Sequence, residues 1–276
     1  IEPKDVVMVS EYCSGGFGGK GYAYPVMAIP AFMSKKLGGR PVMMRMSRAE
    51  EFYNGSARAG FQGWVKVGFG KNGRIKAIDA FVVQDNGPTA GFWDFQNFGD
   101  ASSIVFQPEA MRYRGIPVLT NTPPKGPQRG PGENQTANVM EPIMNKAARK
   151  LGIDPLDLRL ANSPGGGGKD AIVGEKQSPV TSAYLKEALE QGAKAFGYAE
   201  KKKNSGKRNG SKIRAVGIGQ AYHSAGAAGF DGLVRITPDG VLHIHTGVGN
   251  LGTYSYMDTA RVAAEVLGYN WDHCVI

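Results

Sequence analysis

The sequence predicts an α+β fold, and three observations carry that expectation. Two β-rich runs, residues 64–67 and 74–83, are joined through Gly68-Phe69-Gly70-Lys71-Asn72-Gly73. An Asn-Gly pair tolerates the positive φ that a tight hairpin turn demands. Separate stretches over 135–151 and 182–196 read as helices, the second with Leu185, Ala188, Leu189, Ala193 and Phe196 at helical spacing. A further strand–turn–strand, residues 233–236 and 241–245 around Pro238-Asp239-Gly240, precedes a helix over 258–267 that Gly268 caps. A hairpin, a glycine-rich loop and a helix thus recur. The recurrence hints at two related domains, although each motif is common.

The remaining elements follow in chain order. A strand over 5–9 runs towards the loop Gly15-Gly16-Phe17-Gly18-Gly19. The helix after it ends at Leu37, because Gly38 and Gly39 accept a left-handed cap with little strain. After Arg40-Pro41, residues 42–46 read as a strand. Asp154-Pro155 sets an N-cap and a first-turn proline ahead of a helix over 156–160. Ser163-Pro164 and the glycines through Gly168 mark a flexible excursion. The expected division is a first domain over 1–200, a basic linker over 201–212 and the start of a second domain over 213–276.

Composition bounds the function class. A chain of 276 residues, 41% hydrophobic and 21% charged, can bury a sizeable core. No apolar run approaches the roughly 18–20 residues that span a bilayer. Much of the net charge of +9 gathers in Lys201-Lys202-Lys203, Lys207-Arg208, Lys212 and Arg214. That stretch is rich in Gly, Asn and Ser and holds no aromatic residue, so it reads as a solvated loop rather than a nucleic-acid surface. Cys13 and Cys274 form no paired spacing, which leaves no disulfide framework and no zinc or iron–sulfur cluster in this chain. A cytoplasmic location is expected, with a periplasmic one left open. The chain starts at Ile1 and stops on the apolar run Cys274-Val275-Ile276 without a cap. We therefore expect a piece of a longer polypeptide, or a core completed by another chain, that is inactive and poorly stable alone.

Gly16-x-Gly18-x-x-Gly21 follows the expected strand and matches a dinucleotide fingerprint in form. The acidic residue that would take a ribose hydroxyl about 20 residues later is missing, and the fingerprint alone is weak. Read with its neighbours it gains specificity. Gly15-Gly16-Phe17-Gly18-Gly19-Lys20 is followed by Leu37-Gly38-Gly39-Arg40-Pro41-Val42 and by Ser47-Arg48-Ala49-Glu50-Glu51. Leu119-Thr120-Asn121-Thr122 leads into Arg129-Gly130-Pro131-Gly132 and Gln135, and then comes the run from Ala148 to Arg159. Gly247-Val248-Gly249-Asn250-Leu251-Gly252-Thr253 and Ala263-Ala264-Glu265-Val266-Leu267-Gly268 close the series. In this order the motifs resemble the molybdenum-binding subunits of the xanthine dehydrogenase/aldehyde oxidase family, over nearly the whole chain.

The resemblance implies portions of two molybdenum-cofactor-binding domains with mixed sheets and packed helices. It implies a molybdopterin-type molybdenum cofactor, with a dinucleotide form left open, held by Gly15, Gly16, Phe17, Gly18, Arg129, Gly130, Gly249, Asn250, Gly252 and Thr253. The reaction implied is oxidation of an aldehyde, or hydroxylation of a heterocyclic or aromatic C–H, with water as the oxygen source. The rest of the molybdenum subunit is implied as a partner, with iron–sulfur clusters and FAD on partner subunits. The family's glutamate base lies beyond Ile276, so no catalytic residue is assigned here. Gly21 stands where some purine-oxidising members carry glutamate, and Thr253 follows Gly252 where the family often has glutamine.

Each candidate also has a plain structural reading. Phe17 packs under its loop, Arg129 makes a surface ion pair, and Asn250 and Thr253 support a turn. His243 and His245 share a strand face but lack a third ligand nearby, which favours structural histidines. Glu133 reads as a salt-bridged residue before a general base. Two functional alternatives stand beside the enzyme: a non-catalytic assembly or binding subunit, and a nucleotide-binding oxidoreductase using the first glycine loop.

Overall fold

The computed structural model describes residues 2–7, 14–21, 23–89, 92–180, 182–223, 232–246 and 255–276. The chain divides into two units, residues 28–223 and residues 1–27 with 224–276. Helix α1 (Ile29–Lys36) carries Pro30 in its first turn, where a missing N–H breaks no helical bond, and closes through Gly38 and Gly39 at φ 68° and 88°. Helix α2 (Arg48–Asn54) begins at a reciprocal cap in which Ser47 and Glu50 each bind the other's backbone N–H. Residues 42–46, expected as a strand, form none. Met43 is 94% exposed, and no neighbouring strand pairs with this stretch among the described residues.

The expected hairpin is present as β1 (Phe61–Phe69) and β2 (Ile75–Asp85), antiparallel, with Gly73 at φ 81° in the turn. Helix α3 (Asp94–Phe106) then crosses over so that β3 (Ala110–Val118) lies parallel to β2. Strand β2 is therefore the centre of a mixed sheet ordered β1-β2-β3. Helices α4 (Glu133–Leu151) and α5 (Pro155–Asn162) follow. Asp154 caps α5 as expected, its carboxylate accepting the Leu156 N–H at 2.7 Å. Ile75, Ile78 and Val82 of β2 pack with Phe98, Ile104 and Phe106 of α3 and with Met140 and Met144 of α4. Each such side chain, taken out of water, contributes about 1.5–3 kcal/mol.

The glycine run closes as one 3-10 turn with Gly166, Gly167 and Gly168 at positive φ. Strands β4 (Ile172–Val173) and β5 (Ser178–Pro179) make a small hairpin, and helices α6 (Leu185–Phe196) and α7 (Tyr198–Lys203) come next. The basic stretch expected as a linker is locally folded. Residues 201–203 finish α7, and β6 (Arg208–Asn209) pairs with β7 (Lys212–Ile213). Its charges remain in solvent, with Lys202 against Asp154 and Lys203 against Glu200.

In the smaller unit, β8 (Gly232–Ile236) and β9 (Leu242–Thr246) form the second expected hairpin, with Gly240 at φ 79°. Helix α8 (Ser255–Leu267) leads to β10 (Cys274–Val275), which pairs parallel with β9, Cys274 opposite Leu242. The terminal apolar run therefore does have a strand partner, one that lies 32 residues back and leaves no local trace. At the other end, residues 3–5 form a 3-10 turn closed by Asp5 N–H on the Glu2 carbonyl, and Val6 and Val7 are exposed. The expected strand over 5–9 is thus absent as far as residue 7, and its last two residues lie outside the described ones. Among the described residues no helix is long and apolar enough to cross a membrane.

Candidate cofactor site

In the smaller unit the first glycine loop is a pair of overlapping turns. Gly19 N–H bonds the Gly16 carbonyl at 2.8 Å, and Gly21 N–H bonds that of Gly18 at 3.0 Å. These turns hold Phe17 at φ 50° and Gly18 at φ 102°. A left-handed conformation is strained for phenylalanine and ordinary for glycine. The Phe17 ring folds back on Gly15, where an added Cβ would come within 2.9 Å of the ring, so the ring shields the loop while staying 64% exposed. Tyr24 hydroxyl donates to the Gly19 carbonyl at 2.7 Å and closes the loop. The N–H groups of Gly16, Phe17 and Gly18 bond no acceptor among the described residues. Successive free N–H groups beside a left-handed residue form an anion-binding concavity. Among the described residues no α-helix starts before Ile29, so the loop does not lead directly into an α-helix as a dinucleotide fingerprint requires.

The arginine–glycine loop of the larger unit lies before α4 and is held from several directions. The Arg58 guanidinium donates to the Arg129 carbonyl at 2.6 Å and to the Gly130 carbonyl at 3.2 Å. Gln128 Nε2 donates to the Ser56 carbonyl at 3.0 Å, and Gln135 Nε2 to that of Ala59 at 3.0 Å. Gly130 and Gly132 stand at φ 68° and 73°, and a Cβ on Gly132 would fall 2.0 Å from the Asp94 carbonyl oxygen. Only glycine fits there. The Asp94 side chain is buried at the start of α3, and burial raises its carboxyl to about 6 against the opposing pull of Gln135, Arg58 and the Gly132 N–H.

Arg129 itself is exposed, and its guanidinium has no partner among the described residues. The surface ion pair that a plain reading would give it is not formed among the described residues. Glu133 is buried at the first position of α4, its carboxylate against Nδ1 of His223, so the acid of this segment is occupied. The His243 and His245 rings stack at 6.2 Å, and no group of three His, Cys, Asp or Glu side chains is placed to hold a metal among the described residues. Gly249, Asn250, Gly252 and Thr253 lie outside the described residues.

Sequence reasoning missed Arg58, Asp94 and His223. Each reaches its partner across dozens of residues, and no local pattern marks any of them.

Each loop taken by itself, the first with free N–H groups and the second with a free guanidinium, carries donors that suit oxygen-rich anionic groups. A family model described as the molybdopterin cofactor-binding domain matches residues 1–163, and a second of the same description matches residues 191–276. The chain belongs to the molybdopterin cofactor-binding family. Over 95% of its length this cofactor-binding chain is 27% identical to a putative xanthine dehydrogenase molybdenum-binding subunit of Escherichia coli, covering 35% of that protein. It is 26% identical over 97% of its length to an E. coli aldehyde oxidoreductase molybdenum-binding subunit, covering 36% of it. The solved aldehyde oxidoreductase of Desulfovibrio gigas superposes on 93% of this chain with a TM-score of 0.77 at 24% identity, covering 28% of that enzyme. The chain therefore spans about a third of the length of the relatives it matches, and its α+β fold is theirs.

Proposed function

We propose that this chain is the cofactor-cradling part of a molybdenum hydroxylase that oxidises an aldehyde or a heterocyclic or aromatic C–H with water as the oxygen source. The observation that carries the reading is the Arg129 guanidinium, left without a partner on a loop whose backbone is tied down behind it. Gly15, Gly16, Phe17 and Gly18 present backbone N–H groups to the cofactor's oxygens, and Arg129 with the Gly130 N–H adds a charged donor. The same reading assigns Gly249, Asn250, Gly252 and Thr253 to cofactor binding. When bound, the cofactor supplies the two-electron redox centre, while the chain orients it and sets the field around it. Electrons leave through iron–sulfur and FAD partner subunits. A cytoplasmic location goes with this reading.

Arg129→Ala in the complete enzyme tests it. Molybdenum and pterin content should fall at least about tenfold with the fold intact, as expected when a group orienting a metal site is lost. Wild-type molybdenum content in a folded Arg129→Ala protein would overturn the proposal.

A further inference from the structure

We propose that Arg58 is a positioning residue for the arginine–glycine loop, its forked guanidinium fixing the direction in which that loop presents its donors. The inference rests on the reading of the loop as a cofactor contact. Arg58 stands in the segment between α2 and β1, some seventy residues before the loop it binds, with Nη2 on the Arg129 carbonyl and Nη1 on the Gly130 carbonyl.

The consequence follows from peptide geometry. A trans peptide points its C=O and N–H in opposite directions, and no cis bond occurs among the described residues. With the Arg129 carbonyl drawn to Arg58, the Gly130 N–H faces the other way. That N–H has no acceptor among the described residues. The Gly130 carbonyl is claimed twice, by Arg58 and by the Asn134 N–H at 3.0 Å, which joins the loop to the first turn of α4.

The far end of the loop is anchored separately. Gly132 is wedged against the Asp94 backbone, and Gln135 bonds both the Ala59 carbonyl and, at 3.4 Å, the Asp94 carboxyl. Arg58 thus holds one end and Asp94 the other, so removing Arg58 frees the Arg129–Gly130 end while α4 stays seated. Lysine cannot replace it, because a single ammonium does not span two carbonyls in a fixed fork.

The test compares Arg58→Lys, Arg58→Ala and Arg129→Ala in the complete enzyme. Arg112→Ala is the control, a surface arginine paired with Asp79 on the sheet. Thermal unfolding, molybdenum and pterin content under dialysis, and the electron paramagnetic resonance spectrum of partially reduced enzyme are measured for each. Arg58→Lys should melt within about 2 °C of wild type, yet lose molybdenum about 10–100-fold faster and show an altered resonance pattern. Arg112→Ala should change neither. If Arg129→Ala alters retention and spectrum while a folded Arg58→Lys and Arg58→Ala do not, positioning by Arg58 is wrong and the loop assignment survives. If Arg129→Ala also leaves both unchanged, the loop assignment falls and this inference with it. Metal loss that only tracks a lowered melting temperature across the Arg58 variants would reduce Arg58 to a structural strap and overturn the proposal.

Discussion

The β1–β3 region and the β8–β10 region follow the same path. In each a hairpin is succeeded by a helix and then by a third strand, parallel to the second strand of the hairpin, which becomes the centre of the sheet. Their cores differ. The first sheet lies under α3 and α4, whose Phe98, Phe106, Met140 and Met144 are almost wholly buried. The second packs Leu242 and Ile244 mainly on Ala260 and Ala264 of α8, and every residue of β8 is exposed. Wiring alone does not make a core. The first region adds a second helix and large side chains; among the described residues the second buries Ala260 and Ala264 of α8, with Tyr269 and Trp271 only partly buried, and leaves Leu233, Val234, Ile236 and Val266 in solvent. The polar anchors divide in the same way, since the buried Asp94, Glu133 and Gln135 all belong to the first region.

The sharpest way to break this contrast is to remove one core side chain from each region. Phe98→Ala should destabilise the first sheet by about 3–5 kcal/mol, and Leu242→Ala the second by about 2–3 kcal/mol. Hydrogen exchange resolved by segment checks it. Each substitution should raise exchange chiefly in its own sheet, and equal protection loss in both sheets from either change would mean a single shared core.

A smaller effect tests the polar divide. Asp94 has a folded-state value near 6, above its ordinary 3.8, because burial disfavours the charge. The folded chain therefore holds this proton more tightly than the unfolded one. Its contribution to stability is fully present below about pH 4 and is lost as pH rises through about 6. Asp94→Asn should flatten that slope in urea unfolding between pH 4 and 7 and stabilise the chain by about 1–2 kcal/mol at pH 7. An unchanged slope would show that the carboxyl reaches water.

The smallest expected effect lies on α8. Val266 is 80% exposed, so Val266→Lys should change the unfolding free energy of this chain by no more than about 0.5 kcal/mol. A loss above about 1 kcal/mol would show that α8 is covered in solution, which would narrow the difference between the regions.

What the sequence determined by itself is the set of elements whose causes lie within a few residues. Asn72-Gly73 and Asp239-Gly240 specify their hairpins because positive φ is a property of the turn residue. Asp154-Pro155 starts α5, and Gly38 closes α1, through hydrogen bonds and backbone torsions that are equally local. The family motifs were legible for the same reason, being short runs in a fixed order. Tertiary structure decided the rest. Residues 94–106 include Asn97, Gly99, Ser102 and Ser103, a poor helix by propensity. They are helical with Phe98, Ile104 and Phe106 buried against β2 and α4, and with Gly99 leaving room for the Tyr113 ring. Residues 42–46 are apolar enough for a strand but find no ladder, whereas Cys274 and Val275 find one on β9. The hold of Arg58 on Arg129 and Gly130 belongs to the same class. A side chain's partner across seventy residues is chosen by packing and hydrogen-bond satisfaction in three dimensions, and no period or spacing along the chain encodes it.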